Sequence, residues 1–171
     1  ATLTLRGATA AQAGVYDVVV TDALGAFISA GGRLTVGAPV PEVARIGNLS
    51  IRTRAGTGAQ TLIVGFVVGG SGTTGPKPLL VRGVGPALAG FGVAGALADP
   101  KLEIYSAAAA KLFENDNWNA GDAATFASVG AFALAPGSRD AALYNGGLAA
   151  ASYSAQISGV GGTTGVALAE I

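Results

Sequence analysis

Residues 152–158 read Ser-Tyr-Ser-Ala-Gln-Ile-Ser. Tyr153, Ala155 and Ile157 fall on one face, Ser154 and Gln156 on the other. A period of two that sorts apolar from polar side chains is the mark of a strand with one face in a core. Working outward, Gly159–Gly165 is a glycine-rich turn and Val166–Ile171 a closing strand. Ala141–Tyr144 precedes, with Asn145-Gly146-Gly147 read as the turn between.

The same alternation recurs upstream. Leu102–Ser106 points Leu102 and Ile104 inward and Glu103 and Tyr105 outward, with Lys111–Phe113 as its hairpin mate. Ile46–Arg54 sets Leu49, Ile51 and Thr53 against Ser50, Arg52 and Arg54. Pro78–Arg82 is a further strand. Thr61–Val68 is apolar throughout, so it is covered on both faces or its outer face meets a partner. Pro86–Ala89 suits one helical turn with Pro86 first. Asp122 is placed to cap a short helix ending at Val129, with Phe126 and Val129 packed. About eight short strands with glycine-rich turns predict an all-β fold, an antiparallel β-sandwich or jelly roll over 44–171.

The first 36 residues are expected to form a separate β segment: Thr2–Leu5, Val15–Asp22, and Ala26–Val36 after a turn at Leu24–Gly25. Gly37 to Val43, with Pro39 and Pro41, reads as a semi-rigid linker. Residues Ala13-Gly14-Val15-Tyr16-Asp17-Val18 resemble the last hairpin of immunoglobulin-like domains, where a Tyr after a Gly turn forms a tyrosine corner. That resemblance implies strands E, F and G of a partial Ig-like sheet. Gln12 and Val18 replace the Asp and Cys common in that family, so neither the aspartate contact nor the disulfide is expected.

Composition removes whole classes of function. The 171 residues include 10 Lys+Arg, 10 Asp+Glu, no His, no Cys and no Met. Balanced charge offers no field for nucleic acid or an anionic membrane. Without Cys or His there is no disulfide scaffold, thiolate zinc site, thiol nucleophile or imidazole base. No apolar run reaches the ~18 residues of a membrane helix. A chain that starts at Ala1 and holds no Met is expected to be a processed polypeptide, a fragment or part of something longer. With few charges and no net charge, self-association is cheap, and an extracellular setting is expected.

The remaining motifs read first as ordinary loops. Gly70-Ser71-Gly72-Thr73-Thr74-Gly75 fits a GxGxxG spacing with Lys77 nearby. Pro76 and Pro78 follow where a phosphate loop needs a helix, so a polar turn is expected. Gly83 and Gly85 lack the third glycine, since Leu88 stands there. Asn48-Leu49-Ser50 matches a glycosylation acceptor inside a strand and is incidental. Arg45, Arg52 and Arg54 form a small cationic stripe, read as a solvated face.

Glu114-Asn115-Asp116-Asn117-Trp118-Asn119 is the densest oxygen cluster. It reads first as Asx turns with Trp118 as a lid on the sandwich. A calcium site on Asp116, Asn117 and Asp122, with Asp140 as a further ligand, is the sharper alternative. A sugar platform on Trp118 is a third.

A second resemblance covers Arg45–Ile171. The blocks RIGNLSIRTRAGTGAQTLIVGFVVGGSG, LLVRGVGPALAGFGVAGALADPKLEIY, NDNW and SAQISGVGGTTGVALAEI resemble a β-sandwich module of secreted Verrucomicrobia- and Planctomycete-type surface proteins. Leu102–Trp118 and the closing strands are more loosely similar to pre-peptidase C-terminal domains. Both resemblances imply a non-catalytic accessory or structural module.

The expectation is therefore a structural subunit that polymerises by strand complementation, as a homo-oligomer, through Tyr16, Val18, Val20, Phe27, Ile28, Leu34 and Val36. The alternative is a carbohydrate- or calcium-binding spacer module of a larger secreted protein. No catalytic residue is assigned.

Overall fold

The computed structural model describes residues 8–36 and 46–171. The expected strand Thr2–Leu5, the linker 37–43 and Arg45 lie outside them. The chain divides into two compact units, Ala1–Val43 and Ala44–Ile171.

In the first unit a 3-10 turn, Ala10–Gln12, precedes β1 (Gly14–Tyr16), β2 (Val19–Asp22), β3 (Gly25–Ile28) and β4 (Gly32–Leu34). β1 pairs with β4 and β2 with β3, all antiparallel, so the four make one interrupted hairpin. Val15–Asp22 and Ala26–Val36 were each expected as continuous; both are broken. Between the pairs Tyr16↔Gly32 and Val19↔Ile28, two residues face three, which is a β-bulge. Ser29 anchors it. Its N–H donates to Val18 O at 2.9 Å, and its Oγ accepts from Val18 N at 2.9 Å. The turn falls at Ala23–Leu24, where Asp22 Oδ1 accepts from Leu24 N at 2.7 Å, a side-chain-stabilised turn. Tyr16 Oη donates to Gln12 O at 2.6 Å, the local geometry of a tyrosine corner.

The second unit holds β5 (Ser50–Ala55), β6 (Leu62–Val68), β7 (Lys77–Val84), β8 (Pro100–Ser106), β9 (Lys111–Asn115), β10 (Ala141–Leu148), β11 (Ala151–Gly159) and β12 (Gly165–Glu170), with α1 at Ala123–Ser128. One sheet runs β10-β7-β12-β5, the other β6-β11-β8-β9. The pairings β5·β12, β6·β11, β7·β10 and β8·β9 are nested. The chain thus folds back at the β8–β9 turn into one long double ribbon, which rolls up so that successive ribbon segments alternate between sheets. That is a jelly roll, and the fold is an all-β sandwich.

Alternation decides what the sheets bury. Leu102, Ile157 and Ala167 are fully buried between them, with Leu62, Val64, Val81, Ile104, Tyr153 and Ala155 around them. A second cluster covers the outer face of the first sheet. There Val84, Leu88, Phe126, Leu134 and Ala142 pack beneath the long excursions after β7 and β9.

Three local expectations are corrected. Asn145-Gly146-Gly147 lies within β10 as a bulge, because Asn145 Oδ1 accepts from Gly147 N at 2.9 Å and the register shifts before Leu148. Val129 is 52 % exposed, since the helix ends at Ser128 and its side chain turns outward. Asp122 occupies the cap position without a side-chain bond; Asn119 instead accepts from Gly121 N, capping the 3-10 turn before the helix.

Glycine is demanded where Leu97 threads the fold. A Cβ on Gly85 would lie 2.1 Å from Leu97 O, and one on Gly165 2.6 Å from Leu97 Cα. Leu97 N donates to Val166 O at 2.8 Å in the same crossing. The glycines of the Gly83–Gly85 stretch therefore serve close packing.

The β8–β9 turn, where the ribbon reverses, carries Ala109 at φ 57. An L-residue there costs about 1–2 kcal/mol, which glycine does not incur. Set against the extra unfolded-state freedom of glycine, roughly 0.4–1 kcal/mol, Ala109→Gly is expected to stabilise by about 0.5–1 kcal/mol. The check is a rise in denaturant midpoint at constant m.

Candidate functional site

The first-unit ribbon carries the expected interface residues, and its register sorts them. Val20 faces Phe27 and Val19 faces Ile28, so neighbouring pairs point to opposite faces. Val18 sits at the bulge; Tyr16 and Leu34, opposite Gly32 and Gly14, share one face of the β1–β4 pair. The candidates therefore occupy two faces rather than one. Val20 is 59 %, Phe27 65 % and Ile28 67 % exposed, while Leu34 and Val36 are half-buried. Val19 and Val15 are exposed as well and were overlooked. The signal was present in Val18-Val19-Val20, because three consecutive valines must put an apolar side chain on each face.

The polar loop after β9 behaves as linked turns. Asn115 Nδ2 donates to Asn117 O at 2.8 Å, and Asn117 Nδ2 to Asp116 Oδ1 at 3.1 Å. Asn115 Oδ1 accepts from Ala142 N at 3.0 Å, tying the loop to β10. Asp122 lies at the start of α1. Among the described residues no group of three or more Asp or Glu gathers as metal ligands would. Asp140 is engaged by partners of the fold itself. It is fully buried, Oδ1 accepts from Gly85 N (2.8 Å) and Ala87 N (3.2 Å), and Oδ2 accepts from Ser138 Oγ (2.8 Å).

Trp118 is half-buried and fixed from both ends. Its indole N–H is shared by Ala135 O (3.2 Å) and Ser138 Oγ (3.1 Å), and its ring lies 5.4 Å from that of Phe126. This geometry is that of a lid over the second cluster.

Sequence reasoning missed the other buried charge, Arg82. It is fully enclosed on the outer face of the first sheet. Its Nε donates to Glu170 Oε2 at 2.7 Å, with a second contact from Nη2 to the same oxygen, and Nη1 donates to Phe132 O at 2.6 Å. The guanidinium lies 5.0 Å from the centre of the Phe126 ring and 4.3 Å from that of Phe132. Asn48 Nδ2 donates to the other oxygen of Glu170 at 3.2 Å.

The outer face of the second sheet bears a charge row. Glu103 lies 3.0 Å from Lys101 and 3.3 Å from Lys111. Burial pushes its carboxyl pKa up, and hydrogen bonds and charge from the two ammoniums outweigh that, leaving it below the usual value. Beside the row a recess of about 420 Å³ is lined by Tyr105, Ser152, Ser154 and Gln156 among others. Its lining brings no paired carboxylates together, so it has no acid–base couple of the glycosidase kind.

The glycine-rich loop 70–75 folds as a turn. Gly70, Gly72 and Gly75 have positive φ, Thr73 N and Oγ1 both donate to Gly70 O, and Lys77 Nζ donates to Thr74 O. β7, not a helix, follows it. Of the arginine stripe, Arg54 donates to Thr164 Oγ1 at 2.8 Å. Comparison with protein-family models, curated proteins and solved structures finds no match for this chain.

Proposed function

We propose that the chain is a non-catalytic structural module of an extracellular assembly, in which the first-unit ribbon of one copy docks onto β-structure of the next. The observation that carries this reading is a two-stranded ribbon with exposed apolar pairs on both faces, Val20 with Phe27 and Val19 with Ile28. A two-stranded ribbon alone is marginal in water. Fully covering each such side chain is worth about 1.5–3 kcal/mol. Among the described residues β2 and β3 pair only with each other, so their outer edges supply main-chain groups for β-augmentation, and alternate side chains supply the fit. A ribbon-to-neighbour contact is heterologous, so repetition builds a filament or closes a ring. The absence of Cys and His from the sequence agrees with a module that holds rather than reacts.

Sedimentation velocity and electron microscopy test the reading. The chain should form concentration-dependent polymers. Joint replacement Val20→Ser and Phe27→Ser, at exposed positions, should weaken assembly by about tenfold or more, given the apolar area removed. Polymer formation unchanged by the pair, or discrete monomers at all concentrations, overturns it.

A further inference from the structure

The geometry points to β6 as a self-complementary edge through which two copies of this chain pair, antiparallel, about a two-fold axis at Gly65. This contact is independent of the ribbon contact proposed above. β6 is an edge strand, with β11 as its only partner among the described residues.

Exposed edges are normally guarded by charge, proline, bulges or shortness. The other edges of this sandwich follow that rule. β5 carries Arg52 and Arg54; β9 has five residues and carries Lys111 and Glu114; β10 is bulged. β6 has none of these guards. Its seven residues, Leu-Ile-Val-Gly-Phe-Val-Val, contain no charge and no proline, and its register with β11 is unbroken from Leu62 to Val68. No charged residue occurs between Arg54 and Lys77, so nothing repels a second copy laid alongside.

The order of residues identifies the partner. Reading outward from Gly65, Val64 matches Phe66, Ile63 matches Val67, and Leu62 matches Val68. In antiparallel self-pairing centred on Gly65, Ile63 lies opposite Val67 of the second copy on the outer face. Val64 then meets Phe66 of the second copy on the core side. Ile63 and Val67 are 56 % and 69 % exposed, and this pairing covers both while joining two four-stranded sheets into one of eight. A contact of this kind is isologous, the same patch on both partners.

Gly65 adds a separate observation. A Cβ there would meet nothing within 4 Å, and its φ is not left-handed. The single chain thus has no steric need for glycine in the middle of this strand, where glycine costs roughly 0.5–1 kcal/mol. Glycine inside a strand marks places where another backbone comes close, and the two-fold axis sets Gly65 against Gly65 of the second copy.

The test uses the full chain carrying Val20→Ser and Phe27→Ser, so that ribbon association is suppressed. Sedimentation velocity from micromolar to millimolar concentration should show a monomer–dimer equilibrium. Adding Ile63→Lys and Val67→Lys sets like charges directly opposite across the seam and should weaken dimerisation by about tenfold or more. Ile63→Lys with Val67→Glu sets opposite charges there and should restore it. All these positions are exposed, and an unchanged circular dichroism melt confirms the fold. A dimer that survives the double lysine, an absent charge-swap rescue, or a monomer throughout overturns the β6 seam. If the ribbon substitutions abolish all association in the wild-type β6 background, the seam fails and the ribbon reading stands. If only the β6 substitutions matter, the reverse holds.

Discussion

Glu170→Ala is expected to destabilise the sandwich by about 3–5 kcal/mol, the usual cost of leaving one member of a buried ion pair without its partner. Arg82 is fully enclosed and Glu170 is half-buried beside it. Removing the carboxylate strands a guanidinium whose remaining contacts are Phe132 O and two aromatic faces. Those contacts cannot replace a formal charge in a water-excluded site. The double replacement Arg82→Met with Glu170→Leu behaves differently, because both desolvation penalties disappear together and the apolar volume is largely kept. It should lie within about 1–2 kcal/mol of the parent. The measurement is a double-mutant cycle by chemical denaturation. A single-mutant loss below about 1 kcal/mol would show that water reaches the pair.

Arg82 also shows where reading along the chain fails. In Pro78–Arg82 it ends an apolar run, the place where a strand usually emerges into solvent. Its burial depends on Glu170, 88 residues away, and on a cover built from the excursions after β7 and β9. No local period encodes that cover. The strands themselves were legible because the code is local: Tyr153, Ala155 and Ile157 alternate with polar residues, and Leu102 and Ile104 do likewise. β6 was legible only as a choice. A wholly apolar run fits a strand covered on both faces or one whose outer face meets a partner, and the exposure of Ile63 and Val67 on that outer face rules out the first among the described residues.

Turn chemistry was read correctly in kind and wrongly in scale. Asn145-Gly146-Gly147 has the residues of a hairpin turn, and Asn145 Oδ1 accepts from Gly147 N, yet the chain continues in the same strand as a bulge. Ser29 breaks a predicted continuous strand for a similar reason, because its hydroxyl competes for a main-chain N–H. At the polar loop, Trp118 as a lid followed from its neighbours. The Asp140 carboxylate, named as a further calcium ligand, is committed to two backbone N–H groups and a hydroxyl, which leaves it little capacity for a cation.

That commitment makes Asp140 the second position of large effect. Its carboxylate holds the Gly85 and Ala87 N–H groups at the start of the 3-10 turn Pro86–Phe91, where unpaired donors concentrate. Through Ser138 it also reaches the Trp118 indole, and its own carbonyl accepts from Trp118 N at 2.8 Å. Asp140→Ala leaves the buried Gly85 N–H unpaired, together with the Ala87 N–H and the Ser138 hydroxyl of two half-buried residues. At about 1–3 kcal/mol for each buried group left unsatisfied, partly relieved by local adjustment, a loss of about 3–5 kcal/mol is expected. Asp140→Asn keeps one acceptor oxygen and should cost about half as much. Trp118, the one tryptophan of the chain, reports on the same event: its emission should shift to the red in Asp140→Ala below the unfolding transition, as the lid loosens. An alanine variant within about 1 kcal/mol of the parent, with Trp118 emission unmoved, would mean that the turn and lid are held by apolar packing and that the carboxylate is dispensable.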